Sequence, residues 1–103
     1  MSERRRSQRI TQQITIQLVG MQPGAAAAVA QPAQTIDVSE SGALIECRSK
    51  FELGSEVMIH NPKSLQNDLF KVIWVRLSPA GSSWHMAVEK QQQSTSEDFW
   101  GSR

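Results

Sequence analysis

LFKVIWVRL, residues 69–77, is the stretch on which the fold turns. Read as an extended chain, it sets Phe70, Val72 and Trp74 on one face and Lys71, Ile73 and Val75 on the other, and β-branched and aromatic residues dominate it. It reads as a central strand. Working outward, the same alternation recurs at Ile14, Ile16 and Leu18, at QTIDV (34–38), at ALIEC (43–47), at Val57 and Ile59, and at WHMAVEK (84–90). In the last of these, Trp84, Met86 and Val88 alternate with His85, Ala87 and Glu89. The separators carry turn chemistry: Pro23-Gly24, Ser41-Gly42, Gly54-Ser55, Asn61-Pro62 and the run 79–82. Six short strands and no long segment of 3.6-residue period predict an all-β domain, a small barrel or a sandwich. Closure into a barrel is the cheaper way to remove exposed edges at this size. The alanines 25–28 are too few to nucleate a helix and read as a loop running into a strand. Near the C-terminus Ser94 stands three residues before Glu97, the spacing of a capping box for one helical turn that lays Phe99 and Trp100 against the body.

A chain of 103 residues suits one domain with a modest core. Its 11 Lys and Arg nearly balance 10 Asp and Glu, yet residues 1–9 hold four of the seven arginines and a single acidic residue, Glu3. The positive charge is therefore local. One cysteine, Cys47, excludes an intramolecular disulfide, and neither it nor His60 or His85 has a neighbour at zinc-ligand spacing, so no metal is expected. Residues 10–36 are uncharged, but glutamines and the Pro23-Gly24 break interrupt any apolar run, which argues against a secretory signal or a membrane span. The expected setting is the cytoplasm.

Two short patterns carry the functional reading. Arg5 and Arg9 form R-x-x-x-R, and 28 residues after Arg9 comes DVSESG, in which Asp37, Ser39 and Gly42 form D-x-S-x-x-G. In this order, around a small β domain, the pair resembles the PilZ family, whose members bind the bacterial second messenger cyclic di-GMP through these two motifs. SGALIE, LGSEVMI, VIWVR and the closing DFWG are also similar to family sequences. The resemblance implies an all-β, six-stranded PilZ-type barrel over residues 10–103 with a short C-terminal helical turn, preceded by a mobile basic arm over residues 1–9. It implies a ligand site made of Arg4, Arg5, Arg9, Asp37, Ser39 and Gly42, a protein partner in motility, polysaccharide or biofilm control, and no further cofactor. An arginine at the place of Arg4 goes with two stacked ligand molecules; Arg6 is assigned to solvent or a phosphate. Family members commonly carry glycine in the last strand where this chain has Ala87.

The chemistry of the ligand fits these residue types. Cyclic di-GMP offers two phosphates and two guanines; the arginine fork matches both phosphate oxygens and the O6/N7 edge of guanine, whereas lysine offers only a point charge. Asp37 supplies an acceptor for the guanine N1–H and amino group, Ser39 a hydroxyl, and Gly42 either a positive φ or close approach of a flat purine. The same D-x-S-x-x-G is by itself more often a turn in which Asp and Ser satisfy local amides. The tryptophans read as packing residues, with Trp84 the candidate to line a site.

Catalysis finds no support: Ser39 has no evident base beside it, no Cys–His or paired-carboxylate arrangement lies in one segment, and no G-x-x-x-x-G-K loop occurs. The expectation is a protein that is not an enzyme. Two other classes stay open. A nucleic-acid-binding barrel would need a basic stripe, but beyond residue 9 the cations scatter over positions 48, 50, 63, 71, 76, 90 and 103. A PilZ-like interaction module that binds no nucleotide shares the fold. No sequence feature fixes the oligomeric state.

Overall fold

The computed structural model describes residues 10–91 and residue 100. They form seven strands: β1 (Ile10–Thr11), β2 (Thr15–Gly20), β3 (Val29–Val38), β4 (Gly42–Cys47), β5 (Glu56–Asn61), β6 (Gln66–Leu77) and β7 (Trp84–Lys90). Every pairing is antiparallel, in the order β1-β3-β2-β5-β6-β7-β4, and β4 returns to pair with β3. Strands β2 to β7 thereby close a six-stranded barrel, and its sheet has no free edge to manage. The expected six strands are present, several of them longer than the alternation alone suggested, and the alanines 25–28 do form a loop leading into β3.

The seventh strand is an addition. β1 runs in line with β2 along one edge of β3, with Ile10 opposite Val38 and Thr11 opposite Asp37. Between them, residues 12–14 are pinned by the fully buried Thr35: its hydroxyl accepts the Ile14 N–H at 2.8 Å and donates to the Gln12 carbonyl at 2.5 Å. The root of the N-terminal segment is thus fixed beside the end of β3. Residues 1–9, and the helical turn expected around Ser94 to Glu97, lie outside the described residues; among the described residues there is no helix.

Alternation places Ile16 and Leu18 of β2, Ile45 of β4, Val57 and Ile59 of β5 and Met86 of β7 inside the barrel. Phe51 plugs the end near Gly20, where a Cβ would stand 2.8 Å from the Phe51 ring and 2.7 Å from Val57. Trp100 joins the same core at 4 % exposure, its ring tilted against Phe70 with centroids 5.7 Å apart. The expected docking of Trp100 against the body is therefore met.

Two β-bulges alter the facing. In β6 the register passes from Val72 opposite Val88 to Trp74 opposite Ala87, so Ile73 is the extra residue; in β3 it passes from Thr35 opposite Ile45 to Asp37 opposite Leu44, with Ile36 extra. An extra residue reverses the inside–outside parity downstream of it. Phe70 and Val72 point inward, but Trp74 does not share their face, contrary to the simple alternation. It is 37 % exposed on the outside, and Val75 packs against the core instead.

Candidate functional site

The β3 bulge turns Asp37 outward and Val38 inward, at the end of β3 where β1 is joined. From Asp37 one register row crosses the outer surface: Asp37 opposite Leu44, Leu44 opposite Ala87, Ala87 opposite Trp74. At the usual strand spacing the three steps span roughly 14 Å. A carboxylate therefore stands at one end of a shallow apolar floor and a tryptophan at the other. Below this row lies a polar one, Glu46, His85 and Arg76, and above it Gly42, Glu89 and Lys71. The Arg76 guanidinium stacks on Trp74, 4.8 Å from the ring centroid. Glu46 accepts the Ser83 hydroxyl at 2.6 Å and lies 4.0 Å from His85 Nε2.

The DVSESG segment is a tightly bonded turn. The Ser39 N–H donates to the Gly42 carbonyl at 2.9 Å, the Ser39 hydroxyl lies 3.3 Å from that of Ser41, and the Lys90 N–H donates to the Ser41 carbonyl at 2.7 Å. The Ser39 carbonyl accepts the indole N–H of Trp100 at 3.0 Å. Ser39 thus has the local, turn-making role open to such motifs, with half-exposed side-chain surface remaining.

Gly42 is required for a reason that neither sequence expectation named. Its φ is not positive, unlike those of Gly24, Gly54 and Gly81; a Cβ there would come within 2.0 Å of the Val88 carbonyl oxygen. Glycine at this position lets β4 and β7 approach closely directly under the turn.

The structure brings Asp37, Ser39 and Gly42 together at one end of the barrel. Arg4, Arg5, Arg6 and Arg9 lie outside the described residues, but Arg9 immediately precedes Ile10, whose partner is Val38. Trp84 faces inward and packs against the core, in keeping with the packing reading of the tryptophans and not with the alternative that it lines a site, and Lys50 Nζ lies 4.8 Å from its ring centroid. Trp74 takes its place on the outer face. A signal for this was present: Lys71 and Arg76 are both solvent-facing charges in one strand at opposite parity, which requires a one-residue slip between them. Ala87 is 3 % exposed between Leu44 and Trp74, so its methyl is part of the floor.

Elsewhere, His60 Nδ1 pairs with Asn67 Oδ1 at 2.5 Å. Cys47 is buried, its thiol donating to the Ser49 carbonyl at 3.2 Å; burial first, and Glu46 second, push its pKa from 9.0 up to about 11. Among the described residues no group of three or more His, Cys, Asp or Glu side chains is placed to hold a metal ion, and no helix is long and apolar enough to cross a membrane.

A closed antiparallel barrel with a D-x-S-x-x-G turn at its mouth and a basic motif just ahead of its first strand defines a class of regulatory binding domain. The family model of the PilZ domain matches residues 3–98, nearly the whole chain, and the protein belongs to the PilZ domain family. Comparison with curated proteins found no match.

Proposed function

We propose that the outer face running from Asp37 to Trp74 binds cyclic di-GMP and that occupancy is relayed to a protein partner in the bacterial cytoplasm. The observation that carries this reading is the register row itself, which sets a hydrogen-bond acceptor and an exposed indole at opposite ends of a flat apolar floor. Asp37 accepts from the donor edge of one guanine. Trp74 offers a stacking surface for a purine, its face already in contact with the guanidinium of Arg76. Arg5 and Arg9 of the N-terminal arm take the phosphates and the guanine O6/N7 edge, and Arg4 supports a second, stacked ligand molecule. Ordering that arm costs conformational entropy, which the charge-assisted contacts offset. No step of this reading involves bond making or breaking, so the domain acts as a receptor without catalysis.

Isothermal titration with cyclic di-GMP, using GTP and cyclic di-AMP as controls, tests the assignment. Saturable binding selective for cyclic di-GMP is expected, with two ligands per chain. Absence of heat and of any thermal shift at high ligand concentration would leave the barrel intact and transfer the function to the second reading, a ligand-independent interaction module. One observation favours that reading: Val19, Met58 and Leu69, directly opposite one another across β2, β5 and β6, form an exposed apolar row away from the Asp37 row.

A further inference from the structure

Two carbonyls of the D-x-S-x-x-G turn are held by the part of the chain that follows β6. The Ser41 carbonyl accepts the Lys90 N–H, and the Ser39 carbonyl accepts the Trp100 indole N–H, two residues separated by 61 positions. Trp100 is buried and braced by Phe70, so its indole is a fixed donor and not a surface contact that comes and goes. The peptide geometry gives this bond a second effect. In a trans peptide the carbonyl and the following N–H point in opposite directions, so turning the Ser39 carbonyl toward the buried indole turns the Glu40 N–H away from the core. Glu40 is exposed, and its N–H donates to no group among the described residues. The turn therefore presents an outward main-chain donor between Asp37 and Gly42, the two ends of the motif.

We propose that Trp100 is a positioning residue for the nucleotide site: its indole holds the Ser39–Glu40 peptide so that the Glu40 N–H donates to a phosphate oxygen of the bound ligand. This rests on the proposed binding of cyclic di-GMP. Main-chain amides suit such a role because their direction is set by the fold and they lose no side-chain entropy on binding. The ring of Trp100 supplies packing, while its N–H supplies orientation, and the two contributions are separable by substitution.

The experiment uses the full chain and W100F, which keeps an aromatic ring but removes the donor, alongside W100A, which removes both. Amide spectra of the free proteins and titrations with cyclic di-GMP are recorded. For W100F the expected results are a near-native spectrum outside residues 38–42, a displaced Glu40 amide resonance in the free state, and affinity reduced roughly three- to tenfold, the loss of one neutral hydrogen bond's worth of positioning. In the wild type the Glu40 amide moves downfield on saturation. Unchanged affinity of W100F, or a Glu40 amide that does not respond to ligand in the wild type, overturns the phosphate contact. Should the wild type bind no cyclic di-GMP, the functional reading falls and the phosphate contact with it, while the free-state Glu40 resonance of W100F still decides whether the indole orients the turn. Loss of fold in W100A alone, with W100F native in spectrum and affinity, would reduce Trp100 to a packing residue.

Discussion

Asp37 and Trp74 stand at opposite ends of one row yet make different demands on the fold, and this separates binding from stability in the expected behaviour of their variants. Asp37→Ala removes an outward carboxylate and Trp74→Ala a side chain 37 % exposed, so neither opens a cavity in the core. Each is expected to weaken cyclic di-GMP binding by about 1–3 kcal/mol, through a lost charge-assisted contact in the first case and lost base stacking in the second, with little change in melting temperature. Arg9→Ala should weaken binding over the same range. Calorimetric titration paired with thermal unfolding checks all three, and native-like affinity in any one removes that residue from the site. Cys47 makes the opposite demand. Its thiol keeps its proton in the fold until about pH 11, whereas the unfolded chain loses it near 9, so between these values the unfolded state binds fewer protons and stability falls as pH rises. At pH 8 a thiol reagent should leave the folded protein unmodified and label it stoichiometrically in denaturant; rapid labelling of the native form would contradict the buried, neutral thiol.

At the level of single strands, the two bulges are what convert an ordinary β pattern into a usable surface. In a regular β3 with no bulge, Asp37 would keep the inward parity of Ala33 and Thr35; in a regular β6 the Trp74 ring would be directed into the core. Local alternation predicts strands well, because each inward residue must be apolar, but it is blind to a slip inside a run such as Ile73-Trp74-Val75 where both parities are apolar. The strands were therefore legible from alternation, whereas the outer face of β6 was legible only from the opposite parity of its charges Lys71 and Arg76. The assignment has a direct check. Ile73→Asp, at a residue 47 % exposed, should stay within roughly 0.5–1 kcal/mol of native stability, whereas Val72→Asp one position earlier should abolish folding by burying an unpaired carboxylate. Equal tolerance at the two positions would refute the bulge. Gly42→Ala belongs to the same level: its methyl meets a main-chain carbonyl, which cannot rotate aside as a side chain can, and a loss of at least about 1–3 kcal/mol is expected in denaturant unfolding.

For the molecule as a whole, closure was foreseeable and the convergence of distant segments was not. Six alternating runs with short turns leave few economical arrangements, and a barrel satisfies every strand. Nothing in the order of residues, however, announces that the indole of Trp100 will meet the carbonyl of Ser39, or that Thr35 will hold residues 12–14, since both are long-range contacts decided by the closed topology. Their common result is that the chain enters the barrel at Ile10, against Val38, and that Trp100 lies against Ser39, the next residue along. Ile10 and Trp100 are therefore neighbours. A circular permutant that joins them and opens the chain instead at the 62–65 turn should keep the barrel but stiffen the rim around the motif, and a pair of fluorescent proteins fused outside Ile10 and Trp100 would have their attachment points side by side at the rim proposed to take the ligand.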